Sequence, residues 1–100
     1  MQTSKIKSYI GFAVRAGDVV FGLDNIISSR NRVRVIIVDS ELGTASRRKL
    51  SNYLSHNAID VIELGDISLG RDILRRDNTK VIGVLNESLA SAIIREAGEQ

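Results

Sequence analysis

Apolar and polar positions follow two different patterns along the chain, which divide it into short strand-like and longer helix-like segments. Runs of branched aliphatic residues bounded by polar turns are typical of buried strands. Such runs predict strands at residues 18–21, 33–38, 59–64 and 80–85. Five other segments carry apolar residues at the spacing of a helical turn. They predict helices at residues 4–16, from residue 22 onward, at 44–56, at 66–76 and from residue 86 onward.

Three residues at the ends of these segments indicate how the helices begin and end. Gly17 follows the first helix and is predicted to end it in the left-handed conformation, which glycine adopts without strain. Thr44 and Asn86 precede the third and last helices and are predicted N-caps, because their side chains can accept a hydrogen bond from a free backbone N–H.

The alternation of strands and helices predicts an α/β fold. At this spacing it favours a three-layer α/β/α sandwich around a small mixed, largely parallel four-stranded sheet. A length of 100 residues is usual for one domain, and 43% apolar with 26% charged residues argues against disorder. We therefore expect a single domain over residues 1–100.

Composition narrows the class of protein further. The chain has no cysteine, which excludes disulfides, thiolate metal sites and cysteine nucleophiles. No apolar run approaches the roughly 20 residues of a membrane helix, and residues 1–11 lack the apolar block of a secretory signal. We expect a cytoplasmic protein with no membrane partner. Two Phe, two Tyr and no Trp leave few aromatic faces for nucleobases, which argues against single-strand binding by stacking.

Arginine dominates the basic residues, although the net charge is only +2. The planar guanidinium suits phosphate contacts, so this composition leans toward nucleic acid. The basic residues form three clusters, which are Arg30, Arg32 and Arg34; Arg47, Arg48 and Lys49; and Arg71, Arg75 and Arg76. Each cluster is also explained by the solvation of an exposed face, and that alternative stays open. As phosphate contacts, Arg30 and Arg32 would orient an RNA without recognising its sequence.

The residues that an enzyme would need are few. His56 lies at the end of the third predicted helix, where it would meet the last carbonyl groups more readily than act in catalysis. Asp39 follows a strand, the position of phosphoacceptor aspartates, but the sequence DSELG favours a turn. The chain has neither a P-loop nor a GxGxxG after a strand. Gly70 is expected to permit close packing of a helix on the sheet. We predict no catalytic residue, no metal site and no cofactor.

The turn at residues 22–25 differs from these candidates. Gly22 and Leu23 begin a helix whose first backbone N–H groups are free, and the side chains of Asp24 and Asn25 can bond to base edges. A carboxylate can accept hydrogen bonds from guanine N1 and N2 only in a widened or non-Watson-Crick groove, which suits structured RNA. The alternative is plain N-capping by Asp24 or Asn25.

The order of residues around this turn resembles a known family. The pattern I-G-F-A-x-R-A-G-x-V-x-x-G is similar to the opening of the small bacterial, YlxQ-like members of the kink-turn-binding ribosomal protein superfamily, the L-seven-Ae and L-thirty-e group. The residues that carry it are Ile10, Gly11, Phe12, Ala13, Arg15, Ala16, Gly17, Val19 and Gly22. Later segments agree in order, since a strand ending in Asp39 leads to a basic helix at Thr44, Leu69-Gly70 follows the next strand, and VIGVLNES leads into the last helix.

This resemblance covers nearly the whole chain and implies a function. It implies an α/β/α sandwich that binds RNA internal loops in which sheared G·A pairs widen a groove and the helix axis bends. The start of the second helix would enter that groove, and the loop before the fourth helix would close over an extruded nucleotide, with Ile67 as the apolar contact. The implied contacts are Gly22, Leu23, Asp24, Asn25 and Ser28 at the helix, and Gly65, Asp66, Ile67 and Ser68 in the loop. We expect the partner to be a kink-turn-like or ribosomal RNA, or the ribosome itself. We also expect the protein to be a monomer.

The chain departs from the strong kink-turn binders, which carry G-x-N-E-x-x-K. Asp24 stands at the Asn position, Asn25 at the Glu position and Ser28 at the Lys position. Asp18 replaces a Lys that is common in the bacterial group. Each lost phosphate contact lowers RNA affinity. The leading hypothesis is therefore a non-catalytic RNA-binding protein, and the alternatives are an accessory protein-interaction module of the same fold and, third, an enzyme.

Overall fold

The computed structural model describes residues 3–65, 67–76 and 78–98. The chain forms four strands, four α-helices and a short π-helix. In chain order these are α1 (Thr3–Arg15), β1 (Val19–Phe21), α2 (Leu23–Ser28), β2 (Val35–Asp39), α3 (Thr44–Leu54), β3 (Asp60–Leu64), the π-helix (Leu69–Leu74), β4 (Val81–Val84) and α4 (Glu87–Gly98). The predicted order of four strands and five helical segments is confirmed, and the α/β class with it, although the fourth helical segment is a short π-helix.

The four strands form one mixed sheet in the order β1-β4-β2-β3. β4 is antiparallel to both of its neighbours, β1 and β2, and only β2 and β3 are parallel. The prediction of a largely parallel sheet is therefore wrong. Because β4 runs against the other three strands, β1, β2 and β3 all end at one edge of the sheet, and β4 begins there. We call this edge the carboxyl edge and the opposite one the amino edge.

The reversal of β4 has a physical cause in the segment that precedes it. The sequence predicts a helix over residues 66–76, and a parallel strand after it would need a connection that returns the chain to the amino edge. The π-helix instead spans six residues and runs along the carboxyl edge. At its start, Leu69 N–H donates to the Asp39 carboxylate at the end of β2. Just after its end, Arg76 stacks on Phe21 at the end of β1. The chain thus enters β4 from the edge at which β3 ended.

Helices lie against both faces of the sheet, and alternate residues of β2 show the division. Val35 and Ile37 belong to a buried cluster with side chains of α1, α4 and the π-helix. Ile36 and Val38 belong to a second buried cluster with side chains of α2 and α3. Burial on both faces explains why the first four residues of β2 are all apolar rather than alternating with polar ones. Within residues 3–65, 67–76 and 78–98, no helix is long and apolar enough to cross a membrane.

Two of the three predicted helix-end signals are confirmed. Gly17 has a φ of 74° at the end of α1, and the Asn86 Oδ1 atom accepts a hydrogen bond from Leu89 N–H at 2.9 Å as the N-cap of α4. The prediction for Thr44 is wrong, because Gly43 is the N-cap of α3 and makes no side-chain cap bond. Thr44 is already the first helical residue.

Candidate nucleic-acid interface

The carboxyl edge brings together the two segments that the sequence assigns to RNA contact. Gly22 follows β1 and Gly65 follows β3, so both segments begin where a strand ends at this edge. β4 and β2 lie between them, which places the two segments about 14 Å apart at the usual strand spacing of about 4.8 Å. Ile67 and Ser68 belong to the second segment, and Asp66 lies outside the described residues.

The turn at Gly22 depends on a backbone conformation that only glycine adopts readily. Gly22 has φ 87° and ψ 149° and is the N-cap of α2 without any side-chain cap bond. Its N–H donates to Val81 O at 3.0 Å, which fixes the turn to β4. A Cβ atom placed on Gly22 would have no neighbour within 4 Å, so the backbone here is open to a close partner. The alternative interpretation, N-capping by Asp24 or Asn25, is wrong.

We expect Gly22→Ala to lower the free energy of unfolding by about 1 to 3 kcal/mol, because this φ and ψ combination is strained for any residue with a Cβ. The cost is torsional, since the space beside Gly22 is open. Gly65→Ala is the matched control, because that site is equally open and its φ is not positive. Chemical denaturation of both variants measures the difference. Equal stability of the two variants would show that the turn relaxes at no cost.

The side chains that follow Gly22 are already hydrogen-bonded or ion-paired. The Asp24 carboxylate pairs with the Lys49 ammonium of α3, and both side chains are largely exposed. The Asn25 amide nitrogen donates to Phe21 O at 2.8 Å, which leaves the amide oxygen as the acceptor that faces outward. The Ser28 hydroxyl lies one turn further along α2, 3.5 Å from Asn25 O. Asp24 and Asn25 thus present acceptors at the start of α2.

Three cations, one from α3 and two from the segment between the π-helix and β4, lie beside this turn. A cavity of about 360 Å³ opens between α2, α3 and the segment that leads into β4, and Lys49 and Lys80 line it. Lys80 is 3.9 Å from the exposed Glu41 carboxylate. The Arg76 guanidinium lies 4.2 Å from the centre of the Phe21 ring. Lys80 and Arg76 are more than fifty positions from Gly22 in the chain, so no local sequence pattern connects either of them with that turn.

Asp39 fixes the second segment to the sheet. It is only 1% exposed. One carboxylate oxygen accepts from Glu41 N–H at 2.8 Å and the other from Leu69 N–H at 2.7 Å. The predicted turn is confirmed by the first bond, while the second joins residues thirty positions apart and has no signal in the sequence. Burial raises the pKa of Asp39, but these two N–H groups and the Lys80 charge outweigh it and hold the pKa below its ordinary value.

The loop before the π-helix is closed by its own short-range bonds. Ser68 N–H donates to the Asp72 carboxylate at 2.7 Å, and Arg71 N–H donates to the Ser68 hydroxyl at 3.1 Å. Ile67 is half-buried and packs against the cluster that contains Leu69. Part of the Ile67 side chain thus faces outward, while the rest anchors the loop.

Gly70 has a different role from the predicted packing of a helix on the sheet. A Cβ atom on Gly70 would overlap the Arg76 carbonyl oxygen and lie 3.0 Å from the Thr79 carbonyl oxygen. The close neighbour is therefore the backbone that turns back over the π-helix, which Arg76 N–H fixes by donating to Gly70 O at 2.8 Å. Gly70 does permit a close approach, as predicted, but the group that approaches it is this backbone and not the sheet.

Arg30 and Arg32 lie away from the carboxyl edge. They follow α2 and line a cavity of about 490 Å³ at the amino edge, together with Tyr53 and His56. The His56 Nδ1 atom is 3.3 Å from Asn52 O, as the predicted helix-end position requires. The structure therefore does not bring Arg30 and Arg32 together with the Gly22 turn.

Asp18 also lies at the amino edge, where Asn86 Nδ2 donates to its carboxylate at 3.4 Å. It directly precedes β1, whereas Gly22 follows that strand. The charge of Asp18 is therefore at the other end of β1 from the Gly22 turn.

Arg47 belongs to the structure of a loop rather than to a free basic face. Its guanidinium donates to Leu42 O at 2.9 Å and to Ser40 O at 3.1 Å, and it pairs with Glu63 at 2.8 Å. The hydrogen bond from Arg47 lowers the pKa of Glu63. The Arg47 guanidinium is thus occupied by bonds within the protein. In the cluster of Arg47, Arg48 and Lys49, the exposed cations are Arg48 and Lys49.

Comparison with known proteins adds information on the fold alone. No family model matches the chain, and no curated protein does. A solved structure from Bacillus halodurans C, described as a protein with unknown function, is similar over 95% of this chain and 98% of its own, with a TM-score of 0.83 and 24% sequence identity. At this identity the similarity shows that the two chains share the mixed α/β fold.

Proposed function

We propose that this chain is a non-catalytic, cytoplasmic RNA-binding protein that holds a bent internal-loop RNA, of the kink-turn or ribosomal kind, against the carboxyl edge. The single observation that carries this proposal is the meeting of two segments at that edge. The sequence resemblance assigns both segments to RNA contact, and strands β4 and β2 alone separate them. We also infer that the helices on the two faces of the sheet form the three-layer α/β/α sandwich that the resemblance implies.

The open backbone at Gly22 would let the RNA approach without meeting a side chain. The acceptors of Asp24 and Asn25 would then bond to guanine N1 and N2 in a groove widened by sheared pairs. Because such edges are exposed only in the bent conformation, the protein would bind that conformation more tightly and increase its population.

Lys49, Lys80 and Arg76 would supply the phosphate contacts on either side of the turn. Lys49 pairs with Asp24, and Lys80 lies near Glu41. Exposed pairs of this kind are worth about 1 kcal/mol or less, so a phosphate can replace either carboxylate at little cost. Arg30 and Arg32 lie at the other end of the molecule and are not part of the proposed contact.

A salt titration with two RNAs tests this function. We expect a kink-turn RNA to bind more tightly than a plain duplex of the same length, measured by fluorescence anisotropy. With about three phosphates neutralised, the logarithm of the binding constant should fall with the logarithm of salt concentration at a slope near −2 to −3. Equal and weak binding to both RNAs would overturn the proposal in favour of an accessory protein-interaction module.

Asn25→Ala tests which residue contacts the bases. We expect it to weaken binding of the kink-turn RNA by about 1 to 3 kcal/mol, the usual value of a side chain that bonds to a base edge. Asn57→Ala is the matched control, because the Asn57 amide donates to Tyr53 O at 2.9 Å, the same kind of bond that Asn25 makes, but at the amino edge. Equal affinities of the two variants would move the base contact away from Asn25.

A further inference from the structure

A second surface lies between α1 and the π-helix, and nothing in the proposed function uses it. It is a groove of about 310 Å³ on the outside of α1. We call it the α1 groove and define it by Lys7, Gly11, Phe12, Arg15, Ile73 and Arg75.

Phe12 is the most exposed large apolar side chain of the described residues, at 49% of its surface. It is exposed although Ile10 and Ala13 of the same helix are fully buried, so the hydrophobic core does not account for it. The Arg15 guanidinium is 5.0 Å from the centre of its ring. The guanidinium lies over one face of the ring, so a flat, electron-rich group would stack on the part of the ring that stays exposed, next to that cation.

The charge of the α1 groove is strongly positive. Lys7, Arg15 and Arg75 are exposed, and none of them forms a salt bridge with another residue of the described ranges. Asp72 is the acidic residue of the lining, and its carboxylate already accepts the Ser68 N–H. The groove therefore suits an anionic ligand with a flat apolar part.

Two consecutive arginines link the α1 groove to the carboxyl edge. Arg75 lines the groove, and the next residue, Arg76, stacks on Phe21, which directly precedes Gly22. A chain of cations thus leads from the Gly22 turn around the end of the π-helix to Phe12. This continuity favours RNA as the occupant over an acidic peptide, since an RNA held at the edge would already extend into the groove.

We propose that the α1 groove binds one unpaired nucleotide of the RNA strand that flanks the element held at the carboxyl edge. The base stacks on Phe12, and the adjoining phosphates contact Arg15, Lys7 and Arg75. This inference rests on the proposed function, because it needs an RNA at the edge. A single exposed ring limits the site to one base, consistent with the scarcity of aromatic residues in the chain.

The test compares the affinity for a blunt-ended kink-turn RNA with the affinity for the same RNA carrying three unpaired nucleotides, at the 5′ end in one version and the 3′ end in another. We expect one of the two extensions to raise the affinity by about 5- to 150-fold, the range that stacking of one base on an aromatic side chain provides. The readout is the ratio of extended to blunt affinity. It should fall close to one in Phe12→Ala and be retained in Phe12→Trp.

Val61→Ala is the matched control, because Val61 is also an exposed apolar residue and lies on β3, away from the groove. The ratio should stay high in this variant. Blunt RNA that binds while neither extension raises affinity would overturn the α1 groove proposal and leave the proposed function intact. A gain in affinity from the extension that persists in Phe12→Ala would also overturn the α1 groove proposal. No binding of blunt RNA would overturn the proposed function, and a short acidic peptide that binds wild type but not Phe12→Ala would then assign the groove to a protein partner.

Discussion

Gly70→Ala is expected to lower the free energy of unfolding by about 3 kcal/mol or more, at the upper end of what overpacking costs. The added methyl group would overlap the Arg76 carbonyl oxygen and meet the Thr79 carbonyl oxygen at 3.0 Å. Both neighbours are backbone atoms, so no side chain can rotate away to make room. For a domain of this size the melting temperature should fall by roughly 12 °C or more.

Gly11→Ala is the control for this prediction and should change stability in the opposite direction. A Cβ atom at Gly11 would meet only the Arg15 guanidinium, at an ordinary 3.6 Å. Because Gly11 lies inside α1, alanine should stabilise the protein by about 0.5 to 1 kcal/mol through its higher helix propensity. Calorimetry or denaturant titration of the two variants measures both effects. A Gly70→Ala protein as stable as wild type would mean that the segment after the π-helix moves freely, contrary to the structure.

Asp39→Asn is expected to lower the free energy of unfolding by about 2 to 4 kcal/mol at neutral pH. Each carboxylate oxygen accepts a backbone N–H, whereas an asparagine offers one oxygen and one NH₂ group. One of the two N–H groups would then face another donor in a buried position, and hydrogen bonds to a charged acceptor are the stronger ones. Asp60→Asn makes the same chemical change on an exposed residue of β3 and should stay within about 0.5 kcal/mol of wild type.

The same site should make stability depend on pH. Burial opposes ionisation of Asp39, but the two N–H donors and Lys80 outweigh it, so the folded pKa lies below the ordinary 3.8. An unfolded chain then takes up the proton at a higher pH than the folded one, and stability falls as the pH falls from about 4 through the folded pKa. Denaturation at several pH values should show this loss in wild type and a smaller one in Asp39→Asn. Identical pH profiles would show that Asp39 does not contribute.

Most of the secondary structure could be predicted from local signals. The apolar runs predicted all four strands. As expected, the side chain of Asn86 caps the start of α4 and Gly17 ends α1 in the left-handed conformation. The prediction for Thr44 was wrong because a residue suited to capping is equally acceptable in the first turn of a helix. In the structure Gly43 is the N-cap of α3. Local chemistry determines which residues can form a helix or strand. It determines less strictly the residue at which that element begins.

The direction of β4 could not be predicted in this way. Periodicity over residues 66–76 predicted a helix. The contacts that hold this segment at the carboxyl edge, from Leu69 to Asp39 and from Arg76 to Phe21, join residues far apart in the chain. Strand direction depends on where the connecting segment lies, and no residue within the segment encodes that position.

The candidate site also combines features that local sequence predicts with features that only tertiary contacts determine. The two segments at Gly22 and Gly65 were proposed from the order of residues, whereas only the folded chain places the cations Arg76 and Lys80 beside Gly22. The sequence by itself determined the elements, the apolar core and the glycines at the turns, because periodicity, backbone freedom and side-chain size act over a few residues. Only the tertiary structure decided which strand ends share an edge, which charges are already paired and that Phe12 is left exposed. Those properties depend on groups that meet in space after folding, across distances along the chain over which a sequence pattern carries no signal.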